Sequence, residues 1–374
     1  MTLELDIEQW HRQLLQRNRK LSVVEGVVNA GGLYSTAPTS YLSLIARVPG
    51  FVRGDLDRAL YEDRSLVRMA ALRGSGFLIP LDLIDNVVAA TDRGYVFAKW
   101  ADKLVGSEQV EAWRADLFRL LDGQVLPARK IREELGVSGK SSEALRYVLS
   151  SMISRRELAA ASGPKSWRDN QHGYALWSQW FRGHRPRQVD PTMARIEVAE
   201  WYLQGHGPAT AGDFAWFAGM KEANAQAALE GSAAVEVGDG WFDLLDRKPP
   251  ADPDGLRLLP VWDTALVRQE QWRRMVHEDH YRFVYDASGN VTSSIVRDGA
   301  VVGVWDRGGD NDRLVVKAAF FEPAGRGMKK LVDDEAAVVA RAVGVSDLEV
   351  EFVSSVVDLH AASRNRFMSP LSGS

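Results

Sequence analysis

The chain has 374 residues, of which 45% are hydrophobic and 26% charged, with a net charge of −4 and no cysteine. That length supports several domains and a sizeable core, and the composition is that of a folded globular protein. Disulfides and thiolate metal sites are excluded, no apolar run approaches the roughly 18–20 residues of a membrane span, and the opening "MTLELDIEQW" lacks the regions of a signal peptide, so a cytoplasmic, nucleoid-associated location without membrane contact is expected.

The first predicted element is a helix in "SVVEGVVNAG" (22–31), where Ser22 and Glu25 form a capping box and Gly31 supplies the stop. It runs into "GGLYSTAPTSYL" (31–42), which sets the hydroxyls Tyr34, Ser35 and Thr36 side by side and carries no charge until Arg47. Two further ten-residue windows close on glycine, "PARKIREELG" (127–136) and "TAGDFAWFAG" (210–219). The second of the three starts on a proline suited to a first turn, and the third carries Thr210 and Asp213 as a relative of the capping box. Each of these two is followed by another helical pattern and then a strand pair. After Gly136, Leu145, Val148, Leu149, Met152 and Ile153 share one helix face; after Gly219, "AAVEVGDGWFDLL" reads as a hairpin turning at Gly238–Gly240. Helix, turn, helix and β-wing together predict tandem winged helices, in which the second helix enters a groove and the wing follows the backbone. From Leu256 the pattern is strand-like, with Asp298-Gly299 as a two-residue hairpin turn, and "KKLVDDEAAVVARAVG" adds a helix. The expected fold is α+β, divided into winged-helix-like units at 1–115, 116–190 and 191–250 and a β-rich module at 251–374.

Charge is unevenly spread. Residues 129–187 hold twelve basic and five acidic side chains, a local balance of +7 inside an acidic protein, as expected of a polyanion binder. Within "SWRDNQHGYALWSQWFRGHRPR" (166–187), arginines alternate with Trp167, Tyr174, Trp177 and Trp180. Basic groups neutralise phosphates and aromatic faces stack on bases. Lys165, Arg168, Arg182, Arg185 and Arg187 are therefore expected to contact DNA, with Trp167 beside them, whereas Trp177, Trp180 and Phe181 fit a core beneath the wing. The seven histidines include one close pair, His277 and His280, with no third ligand motif nearby, so no metal or other cofactor is expected. "RGGDNDR" (307–313) reads as a hairpin tip. No Walker loop, dinucleotide fingerprint or nucleophile elbow is present.

In order along the chain, "GGLYSTAPTSYLSLIARVPGF", "DLDRALYEDRSLVRMAALRGSGFLIP", "GPATAGDFAWFAG", "RLLPVWD" and "DGAVVGVWD" resemble the AlkZ/YcaQ family of bacterial winged-helix DNA glycosylases, across roughly residues 5–355. The resemblance implies tandem winged helices curved around a DNA channel, with a β-rich C-terminal module. It also implies excision of alkylated bases, including bulky adducts and interstrand crosslinks, in some members as protection from self-made DNA-alkylating products. The family's signature, Gln-x-Gln or Gln-x-Asp after a "GGL"-like turn, falls on Tyr34 and Thr36, so the chain departs from the family at both positions. Ser35 between them and Arg47 beyond the loop are expected to face DNA. Asp263, in "LLPVWD" where the family also has aspartate, is the candidate compensating carboxylate, and bracing a loop is its alternative role.

Hydroxyls can aim a water but are poor bases near pH 7, since tyrosine ordinarily titrates near 10. An N7-alkylated guanine is cationic and already a good leaving group, so holding the strand and aligning water can suffice. The leading expectation is a monomeric DNA glycosylase acting on alkylated or bulky-adduct purines in double-stranded DNA. Its alternatives are a non-catalytic winged-helix protein, for lesion recognition or transcriptional regulation, and a metal hydrolase built on His277 and His280.

Overall fold

The computed structural model describes residues 10, 12–13, 15, 20–163, 166–244, 255–267, 275–286 and 290–362. Helix α1 (Val23–Asn29) begins with the reciprocal cap its sequence predicts: Ser22 Oγ accepts from the Glu25 amide, and the Glu25 carboxylate accepts from the Ser22 amide. It ends on Gly31 and Gly32, at φ +67° and +99°. A Cβ on Gly31 would also lie 2.7 Å from the His206 ring, so this glycine is needed for both backbone and packing.

Three units with one strand order follow. The first comprises β1 (Leu33–Tyr34), α2 (Thr39–Arg47), α3 (Arg53–Asp57) running into a π-helical turn at Arg58–Glu62, β2 (Leu66–Ala70) and β3 (Gly76–Pro80), in the order β1-β3-β2. Helices α4 (Ile84–Thr91), α5 (Arg93–Val105) and α6 (Ser107–Leu120) lead to the second. It contains β4 (Leu126–Pro127), α7 (Ala128–Glu134), α8 (Ser141–Ser154), β5 (Leu158–Ser162) and β6 (Gly173–Leu176), ordered β4-β6-β5. After the single turn α9 (Trp177–Trp180) and the long α10 (Pro191–His206) comes the third. Its β7 (Ala209–Thr210), α11 (Ala211–Ala218), α12 (Glu222–Glu230), β8 (Ala234–Gly238) and β9 (Trp241–Leu244) are ordered β7-β9-β8. In each unit a short strand, two helices and a hairpin succeed one another, and the last hairpin strand takes the centre.

This order corrects the phase of the sequence repeat. The windows opening at Pro127 and Thr210 begin at the end of each short strand, but the window 22–31 lies one helix early. Tyr34 is the counterpart of Pro127 and Thr210. The Ser22 capping box imitates that of Thr210, whereas α2 starts after Pro38 with no side-chain cap. The expected boundary at 115–116 falls inside α6. Nor does the second helix of the middle unit present a free face along its length. The C-terminal half of α8 is enclosed, with Ser151 Oγ donating to the Gly94 carbonyl on α5 and Ser154 Oγ to the Ala70 carbonyl on β2, both at 2.7 Å.

The C-terminal sheet runs β10 (Leu256–Leu259), β11 (Ser294–Arg297), β12 (Ala300–Gly309), β13 (Arg313–Phe320) and β14 (Asp347–Phe352) in sequence order, with one turn, α13 (Tyr281–Val284), before β11. Asp298 and Gly299 both have positive φ and close the β11–β12 hairpin as expected. Only β13 and β14 are parallel, joined by α14 (Arg326–Val343) as a parallel crossover requires, and α15 (Val356–Ala362) follows. Val332, Ala336, Val339, Ala340 and Val343 form the buried stripe of α14. They share one core with Leu256, Leu258 and Trp305 of the sheet and with Leu42, Leu44 and Ile45 of α2. Each such leucine or isoleucine contributes roughly 1.5–3 kcal/mol by burial. Helix α2 is thereby fixed between the first unit and the C-terminal module. No described helix is long and apolar enough to cross a membrane.

Candidate active site and nucleic-acid interface

Strand alternation sets the first site residues. Leu33 pairs with Leu78 and is fully buried, so Tyr34, opposite Phe77, turns to the other face. Its ring lies 4.5 Å from that of Phe77. The Ser35 amide extends the ladder by donating to the Gly76 carbonyl at 2.9 Å. Gly76 must be small here, because a Cβ would stand 2.7 Å from Ser35 Oγ. Beyond Thr36 the loop is clamped from the second unit: the Asn170 amide donates to the Ala37 carbonyl at 3.0 Å, and its carbonyl oxygen accepts from the Ala37 amide.

Thr36 lines two cavities. The first, of about 250 Å³, is bounded by Tyr34, Thr36, Arg73, Ser75, Trp262 and Asn290, among others. The second, of about 190 Å³, includes Ser35, Thr36, Arg68, Asn170, His172 and Tyr174. Arg73 also borders a wider groove of about 610 Å³, with Arg93, Trp216 and Glu222. Among the described residues, no carboxylate lines either smaller cavity.

Arg73 sits in the β2–β3 turn at φ +52°, a left-handed conformation uncommon for a residue with a side chain. Its guanidinium stacks 3.6 Å over the Trp216 ring, and no described residue accepts a hydrogen bond from it. Burial lowers its pKa, which the nearby Tyr34 partly offsets. Burial raises the Tyr34 pKa, against smaller opposing effects of Arg73 and a hydrogen bond with Ser75. Tyr34 is therefore a protonated phenol at neutral pH, a hydrogen-bond donor and not a base. Arg93 is differently engaged, donating to the Gly219 carbonyl at 2.6 Å and the Ala218 carbonyl at 3.3 Å, at the negative end of α11.

Asp263 and Arg47 do not stand at either cavity, which corrects two expectations. Both are fully buried, with Arg47 Nη2 to Asp263 Oδ1 at 2.6 Å and Nη1 to Oδ2 at 2.9 Å. Ser43 Oγ donates to Oδ2 at 2.6 Å and the Ala265 amide to Oδ1 at 3.0 Å, so both carboxylate oxygens are engaged. Thr39, Ser43 and Arg47, four residues apart on one face of α2, thus bind the 261–263 loop, with Thr39 Oγ1 donating to the Val261 carbonyl at 3.0 Å. Bracing this loop fixes Trp262, whose backbone is left-handed at φ +59° and whose Nε1 donates to Asn290 Oδ1 at 3.1 Å. Asp286 holds Asn290 in turn, at 2.8 and 2.9 Å.

The basic segment is largely committed to protein contacts. Trp167 is 2% exposed, between Arg168 and Arg307, so it offers no stacking face. Arg168 donates to the Gly308 and Arg313 carbonyls at 3.1 and 3.3 Å, docking the second wing on the β12–β13 hairpin. Arg187 bonds Asp85, a buried carboxylate that also meets Arg156 and His184. Arg182 is exposed, with Nε donating to the Gln179 carbonyl at 3.2 Å, and Arg185 is exposed. Lys165 lies outside the described residues. Trp177 and Phe181 are buried, and Trp180 lies beneath Arg64 at 4.2 Å. His277 and His280 have ring centroids 5.8 Å apart, and among the described residues no group of three potential ligands could hold a metal. Arg68, Arg73, Asn170, Trp262 and Asn290 were not singled out by the sequence. The only available signal was the Arg-Gly tip of "RMAALRGSGF", which marks a left-handed turn.

Comparison with known proteins gives three findings. The family model described as DNA glycosylase AlkZ-like matches residues 26–342. An interstrand DNA cross-link repair glycosylase of Streptomyces sahachiroi is 27% identical over 319 residues, spanning 78% of this chain and 82% of the relative. The solved structure of Streptomyces sahachiroi DNA glycosylase AlkZ is similar in fold, with a TM-score of 0.72 at 24% identity, over 94% of this chain and 99% of that one.

Proposed function

The chain belongs to the DNA glycosylase AlkZ-like family, and we propose that it excises alkylated or bulky-adduct purines of the N7-alkylguanine type from duplex DNA, at the cavity of Tyr34 and Thr36. The observation that carries this reading is the convergence on one cavity of Tyr34, Thr36, Ser75 and Asn290 with the Arg73 guanidinium, from which no described residue accepts a hydrogen bond. In this reaction the C1′–N9 bond breaks with its electron pair going to the cationic base, which leaves neutral. Water forms the new bond at C1′, and its proton passes to solvent. Thr36 Oγ1 accepts a hydrogen bond from that water, the protonated Tyr34 donates to it, and Asn290, fixed by Asp286, borders the same space. Arg73 takes a phosphate beside the reacting nucleotide, and Trp262 supplies an aromatic face. Such a site suits bases that are already good leaving groups, because the described lining offers no carboxylate base.

The relative acts in cross-link repair by its name, and crosslinked duplexes belong in the substrate range proposed here, for repair or for protection of a producer of DNA-alkylating compounds. The protein is proposed to act as a cytoplasmic monomer on the nucleoid. Incubation with duplexes carrying one N7-methylguanine, a bulky N7 adduct or an N7 crosslink, followed by hot alkali, tests the reading. Strand scission at the lesion is expected. Tight binding without scission on every substrate would leave lesion recognition without excision as the function.

A further inference from the structure

The cavity on the other side of Thr36 contains a charge that the excision chemistry does not use. Arg68 on β2 is 7% exposed, and its Nε and Nη2 meet no hydrogen-bond acceptor. Among the described residues no carboxylate pairs with it. Asp57, whose charge acts with that of Arg68 on Tyr41 and Tyr61, accepts from Tyr41 Oη at 2.7 Å and pairs with Arg53 at 3.3 Å. A second unpartnered donor, the buried Tyr61 hydroxyl, lies within reach of the Arg68 charge. The remaining polar groups of the cavity are neutral. Burial, and secondarily Arg68, hold the His172 pKa down to about 4, and burial pushes that of Tyr174 up. A buried guanidinium without an anion is costly, whereas paired and hydrogen-bonded it is among the strongest recognition groups for planar or tetrahedral oxyanions.

We propose that this cavity of about 190 Å³ is an anion site, in which Arg68 takes one phosphate group and the Ser35 and Tyr174 hydroxyls donate to it. One fixed positive charge in a small space lined also by Met69 and Ile153 suits a single phosphate group rather than a polyphosphate. Two sources share this chemistry: a phosphodiester of the bound DNA strand and free inorganic phosphate. The first rests on the reading of Tyr34 and Thr36 as the excision site, since Thr36 and Gly76 line both cavities. The second stands without it.

The test follows the arginine Nε–H resonances of the full-length protein during titration with inorganic phosphate, with the Arg68 signal identified by its absence from both Arg68→Met and Arg68→Lys. A saturable shift of the Arg68 signal is expected. Phosphate-dependent thermal stabilisation should be present in the wild type, reduced in Arg68→Lys and lost in Arg68→Met. Arg68→Met should itself melt higher than the wild type in phosphate-free buffer, because an uncompensated buried charge has been removed. Duplex binding against salt then separates the sources. A slope reduced by about one in Arg68→Met identifies a DNA phosphodiester, and an unchanged slope with phosphate binding lost identifies free phosphate. An Arg68 signal indifferent to phosphate, with the same salt slope in wild type and Arg68→Met, overturns the proposal. Excision of N7-methylguanine by the wild type is measured alongside, so a failure of the excision reading is seen separately from a failure at Arg68.

Discussion

Two β-hairpins flank the Thr36 loop, and they use similar residues differently. The wing of the second unit carries Trp167, Arg168 and Asn170, and all three are turned to protein. Trp167 is buried, Arg168 is held by carbonyls of the β12–β13 hairpin, and Asn170 clamps Ala37. The wing of the first unit carries Arg73 in a left-handed turn, stacked over the Trp216 ring with no hydrogen-bond acceptor among the described residues, facing a cavity and a groove. An arginine is available to a ligand when its donors are not taken up by carbonyls or carboxylates. The number of basic residues nearby does not determine this.

The largest effect expected concerns the brace that holds both sides in place. Asp263→Ala leaves Arg47 buried without its anion and should lower stability by about 3–5 kcal/mol in chemical denaturation. Had Asp263 been the catalytic carboxylate, activity would fall with stability intact. Arg73→Ala should weaken duplex binding by roughly tenfold and reduce the salt slope by about one. Arg168→Ala, despite lying in the basic segment, should leave that slope unchanged and cost about 1–2 kcal/mol of stability through its lost carbonyl contacts. Equal slopes for the two variants would erase the contrast between the wings. The smallest effect lies in the pH profile. The buried Tyr34 phenol keeps its proton above the ordinary tyrosine value of about 10, so excision should not decline between pH 7 and that value on its account. A decline setting in well below it would show that Tyr34 titrates as an ordinary exposed phenol.

Much of the architecture is visible in local patterns. Gly136 and Gly219 end helices at left-handed stops, and Asp298-Gly299 turns a hairpin, because these depend on a few adjacent residues. The first unit is out of step with its sequence signal for the same reason: Ser22 and Glu25 write a strong local cap one helix too early, and α2 has none. The site itself is legible only in part. Its hydroxyls stand out in "GLYST", but whether an arginine is spent or free depends on distant chain. Arg47 meets Asp263 across 216 residues, and Arg168 meets Gly308 across 140. Arg68 and Arg73 gain their significance from the absence of a carboxylate partner among the described residues, which no spacing in the sequence records.

In the proposed reaction, two hydroxyls on the β1 loop align the attacking water where the family signature has Gln-x-Gln or Gln-x-Asp. Single-turnover excision from a duplex with one N7-methylguanine, compared between wild type and Tyr34→Phe/Thr36→Val with duplex affinity measured in parallel, tests it most directly. A rate lower by about 10–100-fold with affinity nearly unchanged is predicted, since the lost hydrogen bonds act on the reacting water. Undiminished excision by the double variant contradicts it.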